Sequence, residues 1–212
     1  ASILKEWKES RQISRAGYTI CTLWPRPERG YKMHYSSMVK MGEFAREHDG
    51  EGKTVIDIGS TAVNYIPLNP YHRNYRELFP KSTHIGVDIV PGDNVDVIMD
   101  SKKWDALKDV DMVISGQTIE HVANIPKLMK SIFDVLKPGG MLCIIAPSAG
   151  PAHYSPIWTG NFSKERMKKV VTDAGFKVIS IDIHPVAPWY DNRCIAKKPT
   201  QKGRYAAKGD NF

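Results

Sequence analysis

From residue 54 onward, short apolar runs rich in β-branched residues alternate with stretches in helical period, the pattern of a parallel sheet covered by helices on both faces. The runs are Thr54–Gly59, His84–Val90, Val95–Asp100, Val110–Ser115 and Met141–Ala146. Each is nearly all apolar until its C-terminal end, as a strand buried on both faces should be. Asn124 to Leu136 predicts a helix between the fourth and fifth strands. A further helix is predicted from about Ser163, its cap, to Ala174, with Gly175 as the stop. Phe176–Ile183 and Arg193–Ala196 then predict two more strands, joined by a Pro-containing loop too short for a crossover helix, so that pair is antiparallel. The predicted fold class is α/β: a doubly wound, seven-stranded, mostly parallel sheet ending in an antiparallel hairpin.

Residues 1–53 precede the first strand. Met38, Met41, Phe44 and Ala45 recur at helical spacing after Ser36 and Ser37, which predicts a helix from about Ser37 to His48. The stretch Thr22–Pro27 holds two prolines and no period, and Trp24 within it reads equally as part of a lid or as plain packing. About fifty residues make a poor independent core, so 1–53 is expected to form a helical lid segment on a main domain spanning 54–198. Residues 199–212 lack apolar period and read as a basic flexible tail.

Composition narrows the class. The chain has 212 residues, 42% apolar and 25% charged, enough for one globular domain, and no stretch approaches the roughly 20 apolar residues of a membrane span. Ala1–Glu6 carries charges where a secretory signal has its apolar core, so the expected location is cytoplasmic. Cys21, Cys143 and Cys194 are far apart and form no C-x-x-C pair, so no metal site is expected and the thiols read as reduced and mostly buried. The net charge of +7 divides into +3 over residues 1–50 and +4 over 196–212, leaving a neutral body. A nucleic-acid grip usually shows a basic stripe on the folded face, so RNA binding is not favoured.

The informative chemistry lies at strand ends, because ligands of an open α/β sheet sit across the carboxyl ends of its strands. Asp57, Asp88 and Asp100 close the first three strands. Such carboxylates suit a ligand presenting an ammonium group, a sugar diol and an adenine amine in a row. Singly, each also serves as a turn or helix cap.

Five strings, in order, resemble the class I S-adenosylmethionine-dependent methyltransferases, in particular the type 11 group. They are Val55–Gly59, Gly86–Asp88, Met99–Ser101, Gln117–Val122 and Leu136–Gly140, within a resemblance spanning about residues 52–197. The resemblance implies the Rossmann-like methyltransferase fold, S-adenosylmethionine as cofactor and S-adenosylhomocysteine as product. It also implies cofactor contacts from Asp57, Gly59, Ser60, Asp88, Ile89, Asp100, Ser101, Ser115, Gly116 and Gln117. In that scheme Gly59 admits close approach of the methionine part, Asp57 holds the ammonium group, Asp88 takes the ribose hydroxyls and Asp100 the adenine amine. The Ser101 amide faces a ring nitrogen, and Ser115, Gly116 and Gln117 line the methionine end. The chain departs from the family in its loop Asp57–Tyr65, which has one glycine where members commonly have several. That single glycine also excludes the three-glycine dinucleotide fingerprint of dehydrogenases.

Methyl transfer needs alignment of the nucleophile and exclusion of water, and a hydroxyl acceptor also needs a base. His121, just after strand four, is the candidate; alternatively it and Glu120 brace the following helix. Acceptor contacts are expected from Tyr31, His34 and Tyr35 in the lid segment and from His153, Tyr154 and Trp158 in the long loop after strand five. The lack of an Asp/Asn-Pro-Pro-Tyr motif after strand four argues against enzymes that methylate adenine or glutamine amino groups. The expected activity is methyl transfer to an oxygen or nitrogen of a small molecule. Its rivals are an RNA methyltransferase using the basic termini and a non-catalytic binding subunit of the same fold.

Overall fold

The computed structural model describes residues 33–61, 75–92, 94–99, 104, 106–152 and 157–200, without the side chains of 33–35. Tyr31, Asp100, Ser101, His153 and Tyr154 lie outside the described residues, as do the side chains of His34 and Tyr35, the loop around Trp24, Cys21 and the tail from 201 onward.

Seven strands form one sheet, and their apolar runs explain why. In β1 (Thr54–Ile58) Val55 faces one core while Ile56 and Ile58 face the other. In β4 (Val110–Gly116) Met112 and Ile114 join the first of these cores and Val113 the second. Successive side chains point to opposite faces of a strand, so a strand apolar at every position must be covered on both sides. α1 (Met33–His48) covers one face through Met41, Phe44 and Ala45, with Phe79 beside them. α2 (Ile125–Val135) covers the other through Leu128, Met129 and Ile132, joined by Met167 and Val171 of α3 (Lys164–Asp173). Phe44 is 0% and Phe79 2% exposed, and burying a side chain of that size contributes about 2–3 kcal/mol.

The remaining strands are β2 (Thr83–Asp88), β3 (Val97–Ile98), β5 (Leu136–Pro147), β6 (Lys177–Ile183) and β7 (Asp191–Lys197). Their order is β3-β2-β1-β4-β5-β7-β6. β1 to β5 pair in parallel, whereas β7 lies between β5 and β6 and pairs antiparallel with both. The predicted antiparallel hairpin is present, inserted with its second strand inward.

Boundaries moved where packing overrode local signals. α1 begins at Met33, placing Ser36 and Ser37 inside the helix and not ahead of it. β3 keeps two residues of the predicted six, pairing at Val87–Val97 and Asp88–Ile98. β5 starts at Leu136, ahead of the predicted Met141, because Leu136 already pairs with Val110 across a register shift. β7 extends back to Asp191. The caps agree with the sequence: Asn124 Oδ1 accepts from the Lys127 amide at 2.9 Å and Ser163 Oγ from the Arg166 amide at 3.2 Å. Gly175, which ends α3, has φ +93°.

Candidate cofactor and acceptor site

The parallel strands end along one edge, where β1, β2 and β4 deliver their loops. Asp57 lies two residues beyond Val55 in β1 and is 3% exposed. In β2, paired with β1, His84 is 8% exposed and puts Nε2 3.7 Å from Asp57 Oδ2. Burial drives both groups toward their neutral forms. It pushes the Asp57 carboxyl up to about 8, against the Arg76 guanidinium that lowers it and with Asp88 that raises it. Burial, aided by Arg76, pushes His84 down to about 4, while Asp96 opposes. Arg76 also bonds the His84 carbonyl at 3.0 Å and the Asp96 carboxylate at 2.5 Å.

Asp88 closes β2, and its orientation is set by the backbone. Oδ2 accepts from the Thr61 amide at 3.0 Å and Oδ1 from the Ile89 amide at 2.7 Å. A carboxylate has about four lone-pair sites, so two bonds leave acceptor capacity on each oxygen. Ile89 beside it is 71% exposed and Val90 49%. A charged acceptor and a bare aliphatic platform thus lie side by side at the end of β2.

The loop after β1 is held by Gly59 and Ser60 amides to the Val87 carbonyl at 2.8 and 3.2 Å, and by Ser60 Oγ donating to the Asn94 carbonyl at 3.1 Å. Gly59 has φ +79°, and a Cβ there would sit 2.1 Å from Thr118 Oγ1. Glycine is thus required by the chain's own backbone and by Thr118, a reason absent from the sequence reading. Gly116 is likewise covered, its virtual Cβ falling 1.9 Å from the Tyr75 hydroxyl. Burial raises that phenol well above its ordinary range. Ser115 is buried, with Oγ donating to the Ile58 carbonyl at 3.0 Å.

Gln117, expected along the methionine end, has its side chain bound within the chain. Its amide nitrogen donates to Ser37 Oγ at 2.7 Å and to Asp191 Oδ1 at 2.8 Å, turning the side chain toward α1 and β7. Its backbone is left-handed, φ 55°, a conformation that costs a non-glycine residue about 1–2 kcal/mol. Asp191 is fully buried and its Oδ2 also accepts from the hydroxyls of Ser36 and, at 3.1 Å, Ser37. Burial raises the Asp191 carboxyl; bonds from Ser36, Gln117 and Ser37 oppose that. The next residue, Asn192, is equally buried and faces the other way, Nδ2 donating to the Phe162 carbonyl at 2.9 Å. Sequence reasoning missed Ser36, Ser37, Tyr75, His84 and Asp191. Two adjacent polar residues, Asp191 and Asn192, ahead of an apolar run were the only available signal.

After β4 a short 3-10 turn, Ile119–His121, presents Glu120 and His121. His121 Nδ1 lies 2.7 Å from the Ile157 carbonyl. A carbonyl only accepts, so Nδ1 donates the proton in that bond. Nε2 is 3.9 Å from Glu120 Oε1, and the ring centroid is 6.0 Å from that of Trp158. Glu120 is 0% exposed, and burial pushes its carboxyl up to about 8. Its carbonyl accepts from the amide and hydroxyl of Thr159 at 2.8 and 3.0 Å. The turn therefore braces the loop after β5 through the Glu120 carbonyl and the His121 ring. Cys143 and Cys194 are buried free thiols, Cys194 pushed up to about 12 and Cys143 further. Among the described residues no cluster of three or more metal-ligating side chains occurs, and no helix is long and apolar enough to cross a membrane.

The strand order and the reversed β7 define a class I S-adenosylmethionine-dependent methyltransferase fold. The chain belongs to the methyltransferase-domain family, whose model matches residues 33–181. Among solved structures it is similar to 1,6-didemethyltoxoflavin-N1-methyltransferase of Burkholderia thailandensis, determined with 1,6-didemethyltoxoflavin and S-adenosylhomocysteine bound. That match has a TM-score of 0.60 at 14% identity, covering 77% of this chain and 79% of the other. A SAM-dependent methyltransferase from Aquifex aeolicus matches with TM-score 0.54 at 20% identity over 76% and 97% of the two chains. An S-adenosylmethionine-dependent methyltransferase from Mesorhizobium loti gives 0.52 at 12% over 78% and 98%. At these identities the similarity is one of fold. No curated protein matches the chain in sequence.

Proposed function

We propose that this methyltransferase moves the methyl group of S-adenosylmethionine to an oxygen or nitrogen of a small-molecule acceptor. The observation that carries the cofactor assignment to particular residues is the end of β2, where Asp88 keeps acceptor capacity beside the exposed Ile89. A nucleoside matches that pairing, its diol donating to a carboxylate and its base lying on an aliphatic surface. The Burkholderia enzyme, of the same fold, holds S-adenosylhomocysteine together with 1,6-didemethyltoxoflavin, which favours a small acceptor here.

When bound, the cofactor supplies a methyl carbon activated by an adjacent positively charged sulfur. Asp88 holds the ribose hydroxyls through charge-assisted hydrogen bonds, and Ile89 packs against the adenine. Asp57 receives the ammonium group, with His84 behind it. His121 takes the acceptor's proton on Nε2, its tautomer held by the Ile157 carbonyl. Trp158 walls the acceptor side, and the loop held by Thr159 to the Glu120 carbonyl keeps water out.

The test is incubation with methyl-labelled S-adenosylmethionine and a panel of small hydroxyl and amine acceptors, read by mass spectrometry, with and without His121→Ala. A labelled product whose kcat falls at least tenfold in the variant while cofactor Kd stays within threefold supports the reading. Label transfer to RNA alone overturns the acceptor class, and equal rates remove His121 from the chemistry.

A further inference from the structure

The turn after β4 carries a left-handed, non-glycine residue at Gln117. Such a backbone persists only where its surroundings over-determine it. Here the surroundings are specific. Both donors of the Gln117 amide group are taken, one by Ser37 Oγ at 2.7 Å and one by Asp191 Oδ1 at 2.8 Å. Since a carboxylate only accepts, Asp191 also decides which end of the amide faces it. The other carboxylate oxygen holds the hydroxyls of Ser36 and Ser37. One buried side chain at the start of β7 therefore ties the turn after β4 to the first half of α1.

We infer that Asp191 is a positioning residue of the cofactor site, fixing the Gly116–Gln117–Thr118 turn through the Gln117 side chain and tying that turn to α1 through Ser36 and Ser37. The inference rests on the cofactor reading above and adds to it a residue some 74 positions away from Gln117 in sequence. The turn matters because Thr118 Oγ1 packs against Gly59 of the loop after β1 and also bonds the carbonyls of Gly116 and Ile58, at 3.1 and 3.4 Å. A shift at Gln117 therefore moves Thr118 and, with it, the loop after β1 that carries Thr61 to Asp88. The same connection makes the seating of α1 a condition for the edge that receives the cofactor.

A double-mutant cycle tests this, with S-adenosylhomocysteine as the calorimetric probe and urea midpoints recorded for each chain. In the wild-type background, Asp191→Ala weakens binding by roughly tenfold or more, as loss of a charged hydrogen-bond partner does. In a Gln117→Gly background the turn has no side chain to hold and glycine adopts φ 55° without strain, so adding Asp191→Ala changes affinity by less than about twofold. A residue that merely stabilises the fold lowers the urea midpoint in both backgrounds and gives no such difference in affinity. Equal losses in the two backgrounds, or no loss in the first, overturn the inference while leaving the cofactor reading intact. If Asp191→Ala does not fold, the cycle is run with Ser37→Ala, which removes the other acceptor of the Gln117 amide. A wild-type chain that binds no S-adenosylhomocysteine overturns the cofactor reading and this inference with it.

Discussion

Cofactor binding at Asp57 is expected to release a proton. With its carboxyl held at about 8 by burial, roughly nine-tenths of Asp57 is protonated at pH 7. An ammonium group brought within hydrogen-bond reach favours the carboxylate, and opposite charge at that range lowers a carboxyl by about 1–3 units. Taking about 2 units, the bound form is mostly ionised, and about 0.8 proton leaves per cofactor at pH 7. The groups facing Asp57 do not supply that proton otherwise. His84 is pushed down to about 4 and so is already neutral, and the Tyr75 phenol is raised by burial, with Asp57 and Asp191 adding to the shift. Arg76 lowers Asp57 and Asp88 raises it in free and bound states alike. Calorimetric titration of S-adenosylhomocysteine at pH 7, repeated in buffers of different ionisation heat, counts protons from the slope of observed enthalpy. The expected slope corresponds to net release, lost in Asp57→Asn, and affinity rises about tenfold between pH 6.5 and 8. A zero slope in the wild-type chain, or an unchanged slope in the variant, refutes the assignment of the ammonium group to Asp57.

The same buried acids set the stability profile. Asp57 and Glu120, both raised to about 8, bind more protons folded than unfolded between their ordinary values and pH 8, so stability falls as pH rises through that window. From pH 6.5 to 8.5 the loss is on the order of 2–4 kcal/mol for the pair, measurable as a falling urea midpoint that flattens in Asp57→Asn; His84, lowered to about 4, opposes the trend only below about pH 6.5. Asp88→Ala is expected to weaken S-adenosylhomocysteine by on the order of 1–3 kcal/mol, and an unchanged calorimetric Kd places the ribose elsewhere. Gly59→Ala combines a left-handed backbone with a Cβ 2.1 Å from Thr118 Oγ1; a loss of about 2–4 kcal/mol in urea unfolding is expected, and a neutral result means the two loops separate easily.

Parts of the site were legible in the sequence because they are local. Asp88 closes an apolar run, and its carboxylate is held by amides of Ile89 beside it and Thr61 on the adjoining loop. Gly59 follows another run at the point where a strand must turn. Gln117, by contrast, has no local mark distinguishing a ligand-lining amide from one bound to Ser37 and Asp191. Gly59 itself acquires a further reason from Thr118, whose hydroxyl occupies the space a Cβ would need.

Amino-acid order alone determined that there would be five parallel strands, capped helices at Asn124 and Ser163 and an antiparallel pair at the end, because apolar runs and capping are written in residue type and short spacing. Tertiary structure decided that β7 inserts between β5 and β6 and that β5 begins at Leu136. It also brought Ser36 to Asp191 across 155 positions of chain and set His84 beside Asp57. These outcomes depend on which strands pair and on what the paired strands exclude from water. A buried carboxyl shifted by desolvation has the same letter in the sequence as an exposed one.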